Sequence, residues 1–289
     1  MSYLHYTVLI WSIARDGYPA DPERIYLTAG ASAGVSNIMN VIISSPQTGV
    51  LIPIPQYPLY TATLSLLSAQ ACPYYLREKE GWVSSISDVK RALDKARSEG
   101  TDVRAIVVIN PGNPTGACLD VEHMQEIIKL AKDESLVLLA DEVYQTNIFL
   151  PERPFISFRK VLYDMGKPYA DSVELVSFHS TSKGQIGECG RRGGYFEMIN
   201  INEKVEDQIY KLASAQLCAP VSGQIGLDIM VKPPAEGEPS KELYFKEIKG
   251  THDELLRRSG ILLDAFQKLE GVECTDAQVN CSTHLLSTA

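Results

Sequence analysis

Between residues 25 and 178, short unbroken apolar runs alternate with stretches whose apolar residues recur every three or four positions. The runs at 25–28, 50–54, 71–76, 103–109, 136–140 and 173–178 read as strands buried on both faces. The amphipathic stretches at about 32–44, 58–68, 86–98 and 120–133 read as helices. Such alternation predicts an α/β fold: a mostly parallel sheet with helices on both faces. Sheets of this kind hold ligands at the carboxyl ends of their strands.

After residue 200 the pattern changes. Helical periodicity covers 203–216 and 241–269, separated by Val231-Lys-Pro-Pro-Ala-Glu-Gly-Glu-Pro239, a connector rich in proline and glycine. The predicted division is therefore a segment 1–14, a large domain 15–240, and a long helix that opens an incomplete second domain over 241–289. That helix is expected to leave apolar surface uncovered.

Composition narrows the function classes. The 289 residues are 45% hydrophobic and 22% charged, as in ordinary globular proteins. A net charge of -9 argues against a nucleic-acid footprint, which needs a basic face. No run is long and apolar enough to predict a membrane span, and the apolar stretch 6–11 lacks the basic flank of a secretion signal. The six cysteines are scattered, with neither a CxxC pair nor a zinc spacing, which predicts reduced thiols and no metal site.

Four features stand where strands end. Thr28-Ala-Gly-Ala-Ser-Ala-Gly34 joins a strand to a helix; its small residues let a phosphate approach the first helical N–H groups, with the Ser32 hydroxyl beside them. It also reads as a plain turn with Ser32 as N-cap. Gly30-Ala-Ser-Ala-Gly34 further matches the nucleophile elbow of serine hydrolases, with Asp141 and His179 or His252 as triad partners. Asn110-Pro-Gly-Asn-Pro-Thr-Gly116 is either a chain reversal or a loop that offers the Asn113 amide to a phenolate oxygen. In Ala140-Asp-Glu-Val-Tyr-Gln145, a carboxylate ends a buried strand, where it needs a partner such as a protonated ring nitrogen or a turn to cap. Ser177-Phe-His-Ser-Thr-Ser-Lys-Gly184 sets Lys183 just past a strand, where a nucleophilic amine belongs, and Arg191 and Arg192 follow among glycines.

Together with Arg15-Asp-Gly-Tyr-Pro-Ala20, Pro55-Gln-Tyr-Pro-Leu-Tyr60, Gly187-Glu-Cys-Gly190 and Pro220-Val-Ser-Gly-Gln224, these motifs resemble the fold-type I aminotransferases, and within them the alanine aminotransferases. The resemblance implies pyridoxal 5'-phosphate as cofactor. It implies transamination between a small 2-amino acid, L-alanine, and a 2-oxo acid, 2-oxoglutarate. Lys183 would join the cofactor and move the proton, Asp141 would hold the ring nitrogen, and Tyr144 and Asn113 the phenolic oxygen. Tyr57 would stack on the ring; Ala31, Ser32, Ser180 and Arg192 would grip the phosphate, Arg192 fitting the family spacing better than Arg191. A homodimer and an intracellular location, cytoplasmic or mitochondrial, are implied as well.

The likeness runs from about Arg15 to about Gln278, so the chain is expected to be truncated at both ends, with weakened dimer packing. The arginine that clamps a substrate carboxylate late in these enzymes has no counterpart here: Arg257 and Arg258 fall too early. A remnant that binds the cofactor without turnover, and a serine hydrolase acting through Ser32, are the competing expectations.

Overall fold

The alternating pattern folds as one sheet clad in helices. The computed structural model describes residues 3–149, 154–184, 187–270, 272–274 and 285–287. In chain order the elements are α1 (Tyr3–Asp16), β1 (Ile25–Thr28), α2 (Ala31–Ile42), β2 (Thr48–Ile54), α3 (Leu59–Leu66), β3 (Gln70–Tyr75) and α4 (Ile86–Ser98). They continue with β4 (Asp102–Ile109), α5 (Val121–Asp133), β5 (Val137–Asp141), α6 (Phe158–Asp164), β6 (Leu175–Ser180) and β7 (Gly194–Ile199). The last are α7 (Glu203–Ala215), α8 (Val221–Val231), α9 (Lys241–Phe266), β8 (Val272–Cys274) and β9 (Leu285–Ser287).

The seven-stranded sheet has the order β1-β7-β6-β5-β4-β2-β3. β7 runs antiparallel to both of its neighbours, while the pairings from β6 through β5, β4 and β2 to β3 are parallel. Strand periodicity then sorts the side chains onto two faces. Leu51, Ile106, Leu138 and Ala140 pack with α4, α5 and α6 on one face. Val50, Ala105, Val107, Leu139 and Phe178 pack with α2 and α3 on the other. The chain steps from β4 toward β5 on one side, whereas β2 and β3 lie on the other. The crevice that such a reversal opens at the strand ends is where this class of sheet binds ligands.

Every predicted strand and helix forms within a few residues of its expected bounds. β7 escaped the pattern because Glu197 interrupts its apolar run. That carboxylate is buried, accepting a hydrogen bond from Ser12 (2.8 Å) and facing Arg159 (3.0 Å), partners far away in sequence. The stretch left as a divergent segment starts α1, whose Leu4 and Val8 pack on Ile25, Tyr195 and Leu227. α8 contains Gly223 and Gly226, which lower helix propensity. Gly223 is explained by contact: a Cβ there would strike the backbone of Arg192 and Gly193. α8 is thus seated directly on the loop that bears Arg192.

α9 has no buried residue, and Leu243, Phe245, Ile261 and Leu262 are exposed along it. β8 and β9 pair antiparallel. The remaining tail residues at 271, 275–284 and 288–289, and with them the poorly matching end of the likeness and Cys281, lie outside the described residues. Cys72, Cys189 and Cys218 are free thiols. Among the described residues no helix is long and apolar enough to cross a membrane, and no group of His, Cys, Asp and Glu could hold a metal ion.

Candidate functional site

Each of the four features ends on one cavity. β1 passes into α2 through Gly30, which sits at the N-cap with φ 87° and ψ 162°, backbone angles essentially confined to glycine. No side chain caps this helix among the described residues, so Ser32 is not its N-cap: it lies in the first turn. Its hydroxyl instead accepts a hydrogen bond from Arg192 Nη2 at 3.2 Å.

β5 delivers Asp141, which is 5% exposed. It shares a face with Leu139, so its carboxylate meets α3, where Tyr60 donates to Oδ2 at 2.8 Å. The Val143 N–H reaches Oδ1 at 3.4 Å, so Asp141 also caps the turn after its strand. Burial pushes this carboxyl above its usual value, opposed by the Tyr60 hydrogen bond, the Val143 N–H and the charge of Lys183. A buried acid in this balance is suited to share a proton with a cationic ring nitrogen. Tyr60 and Asp141 lie 81 positions apart, so the sequence carries no signal of their contact.

The loop after β4 is tied by Gly112 N–H to Ala117 O (2.8 Å) and Gly116 N–H to Gly112 O (3.0 Å). It presents Asn113 Nδ2, which donates to the Tyr144 hydroxyl at 3.3 Å. The chain reversal and the amide donor are therefore one structure. Lys183 Nζ lies 5.2 Å from the Tyr144 ring centroid.

Between β6 and β7 the loop closes on itself. Thr181 N–H and the Ser180 hydroxyl both donate to Gly193 O, at 3.0 and 3.2 Å. Arg192, with φ 55°, turns its guanidinium back over the cavity to Ala29 O (2.8 Å), Ser32 Oγ and Ser182 Oγ (3.3 Å). Arg191 instead pairs with Glu188 on the outside. The doubled arginine resolves by direction, and Arg192 is the one on the cavity.

A cavity of about 170 Å³ is lined by Ala31, Ser32, Tyr57, Asn113, Asp141, Tyr144, Ser180, Lys183 and Arg192, which are the residues predicted from sequence. Ser182 and Cys189 line it too and were missed, because each lay inside a motif that already had a more obvious member. The donor set is specific in kind. A guanidinium, hydroxyls and an uncapped helix start suit a phosphate; paired Asn and Tyr groups suit a phenolic oxygen; an amine suits a carbonyl carbon. A flat, phosphate-bearing pyridine aldehyde offers all of these groups, so the residues present fit pyridoxal phosphate.

The hydrolase expectation does not survive this geometry. The Ser32 hydroxyl is engaged by Arg192 and the Asp141 carboxylate by Tyr60. His179 points to the opposite face of the sheet, where it stacks on Trp11 at 5.6 Å. His252 bonds Ile148 O at 2.8 Å. Among the described residues no hydrogen bond joins Ser32, Asp141 and either histidine.

Comparison with known proteins agrees with the fit. The sequence model described as aminotransferase class I and II matches residues 9–284. Glutamate–glyoxylate aminotransferase 2 of Arabidopsis thaliana is 51% identical over 260 residues, covering 90% of this chain and 54% of that protein. A probable mitochondrial alanine aminotransferase of Dictyostelium discoideum is 50% identical over 265 residues, covering 91% and 49%. The chain thus spans about half the length of the curated relatives it matches. Among solved structures, alanine aminotransferase from Pyrococcus furiosus superposes with a TM-score of 0.82 over 96% of this chain and 64% of that one, at 23% identity, a likeness of fold.

Proposed function

Since the chain belongs to the class I and II aminotransferases, we propose that it works by transamination between a small 2-amino acid, L-alanine, and a 2-oxo acid, 2-oxoglutarate. Support comes first from the convergence of the predicted residues on one cavity. The names of the relatives favour alanine or glutamate as amino donor. On this reading residues 15–240 hold the cofactor, 241–289 begin the part that covers the substrate, and the working form is a homodimer.

Pyridoxal phosphate, the cofactor of this family, supplies an aldehyde for the amine and a ring that withdraws electrons from the substrate's alpha carbon. The chain's residues do the rest. Asp141, held by Tyr60, keeps a proton on the ring nitrogen so that the ring stays electron-poor. Asn113 and Tyr144 hold the phenolic oxygen, and Tyr57 covers one ring face. Arg192, Ser32, Ser180 and the first amides of α2 anchor the phosphate. Lys183 carries the cofactor between turnovers and moves the proton at the substrate's alpha carbon. Arg257 and Arg258 both pair with Glu254 on α9, so neither is assigned to the substrate carboxylate.

Alanine-dependent formation of pyruvate by the purified chain tests the substrate assignment; activity with glutamate and glyoxylate but not with alanine and 2-oxoglutarate would overturn it. Two substitutions test the geometry. Tyr60→Phe deletes one hydrogen bond to a buried carboxyl, a loss of about 1–3 kcal/mol, so turnover should fall roughly 10- to 100-fold with the fold retained. Unchanged kcat would remove Tyr60 from the account. In Gly30→Ala, the new Cβ meets the Arg192 guanidinium at a backbone conformation reserved for glycine. With about 1–3 kcal/mol of strain at the phosphate anchor, cofactor affinity should drop about tenfold or more in a fluorescence titration.

A further inference from the structure

The residue after Asp141 turns its side chain to the other face of the sheet, into a closed pocket of charge. Glu142 is 1% exposed. Its Oε1 accepts the Phe158 N–H at 2.8 Å, whereas Oε2 has no hydrogen-bond partner among the described residues. Beside it runs a buried chain of polar contacts. Ser12 donates to Glu197 (2.8 Å), Glu197 faces Arg159 Nε (3.0 Å), and Arg159 Nη1 donates to Asp16 (3.0 Å). Arg15 grips the same Asp16 through Nε and Nη2, at 2.7 and 2.6 Å, and passes Nη1 to Gln145 Oε1 at 2.9 Å.

The titratable and charged groups of this pocket come from every element packed on it. α1 gives Arg15 and Asp16, α6 gives Arg159, β7 gives Tyr195 and Glu197, and β6 gives His179. Asp141 faces the opposite side. His179 is neutral, burial and Arg15 holding it down to about 3, and burial keeps Tyr195 protonated. Two guanidiniums therefore confront the carboxyls of Asp16, Glu197 and Glu142. Asp16 and Glu197 each have an ion pair, and Glu142 has only a backbone amide among the described residues. One retained proton balances the pocket; a third negative charge with an orphan oxygen would not be compensated.

Glu142 is also the hinge of the site's turn. Its own N–H is bound to Phe178 O (3.1 Å), and its carbonyl takes both the backbone N–H (3.2 Å) and the side-chain amide (3.1 Å) of Gln145. We propose that Glu142 is a positioning residue that keeps a proton, and that losing it loosens the Asp141–Gln145 turn and weakens the hold on the cofactor. The inference rests on the reading of Asp141 and Tyr144 as cofactor-holding. An ionised Glu142 would compete with Gln145 and Asp16 for Arg15 and draw in water. The cofactor-free turn can relax to admit that charge, and the loaded turn, closed on a rigid ring, cannot.

Burial pushes the Glu142 carboxyl up to about 8, with Asp16 and Glu197 adding to the rise and Arg15 and the Phe158 N–H opposing it. For an acid whose folded value is raised, the stability is full below its ordinary value of 4.5 and is lost as pH rises through about 8.

The test compares the wild-type chain with Glu142→Gln, which keeps shape and an acceptor for Phe158. Pyridoxal phosphate dissociation constants and cofactor-free melting points are measured from about pH 6 to about pH 9.5. Between about pH 7 and about pH 9 the wild-type constant should weaken roughly fivefold more than that of the variant, and the cofactor-free wild-type melting point should fall relative to the variant's as pH rises to about 8 and run parallel to it above. In the wild type alone, the infrared C=O band of a buried protonated carboxyl should be present at the low end and lost at the high end. Because burial raises Asp141 as well, the same band recorded in Asp141→Asn identifies the proton as that of Glu142 even if Glu142→Gln folds poorly, and its absence there at neutral pH overturns the proposal. Cofactor uptake with parallel pH curves in both proteins overturns this inference alone; no uptake by either at any pH overturns the cofactor reading with it.

Discussion

Lys183→Ala is expected to give a folded protein that no longer retains pyridoxal phosphate through a borohydride-reducible bond, and whose transamination falls by at least about 10³-fold. Lys183 lines the cavity together with Asp141, Asn113 and Tyr144, and its Nζ lies 5.2 Å from the Tyr144 ring centroid. No other lysine lines that cavity among the described residues, so nothing stands ready to replace it. The phosphate anchor at Arg192 and Ser32 is untouched by the substitution. Some non-covalent affinity should therefore remain, visible as quenching of protein fluorescence without the reducible bond. Loss of the reducible bond with retained affinity separates the anchoring amine from a general collapse of the site. Full activity in the alanine variant would contradict the assignment outright.

Arg159→Leu should be among the most destabilising single changes in the chain. Arg159 is 0% exposed, and it is the guanidinium that both Asp16 and Glu197 face from different elements. It also donates to the carbonyls of Tyr18 and Pro19, which pins the chain leaving α1. Leucine replaces some of the volume and none of the charge. Glu197 loses its ion-pair partner and Asp16 keeps only Arg15, at a cost of about 3–5 kcal/mol. Against a total stability of about 5–15 kcal/mol that is a large share, and thermal unfolding should begin roughly 10 °C earlier. A melting point within about 2 °C of wild type would show that water or protonation replaces the ion pairs readily.

These two residues mark what the sequence made legible and what it did not. Lys183 was readable because its evidence is local: an apolar run, then a short polar stretch, then lysine and glycine. The same holds for Asp141, Asn113 and the small residues before α2, each of which follows directly from a strand end. Parallel strands place all such ends on one edge, so separate local signals converge without any knowledge of contacts. Arg159 was not readable, because a lone arginine in a polar-looking stretch is ordinarily a solvated one. Its burial depends on Asp16 and Glu197, which lie far away along the chain.

The same distinction explains the missed elements. β7 carries the buried Glu197, and α8 carries Gly223, which its seat against Arg192 and Gly193 requires. Both break a local rule for the sake of a distant contact. The hydrolase expectation failed for a related reason. A G-x-S-x-G match is local, whereas a triad is a statement about three distant side chains, and here alternation sends His179 to the wrong face. Tyr60 shows the converse. Its motif was noticed, and its chemistry appeared only when α3 and β5 came together.

The central claim is that this cavity holds pyridoxal phosphate through one particular amine. The most direct measurement is to add the cofactor to the purified chain, reduce with borohydride, digest, and locate the pyridoxyl group by mass spectrometry. The account predicts a single modified site at Lys183, suppressed in Gly30→Ala at limiting cofactor. A folded chain that carries no adduct, or one spread over surface lysines with Lys183 unmodified, would contradict it.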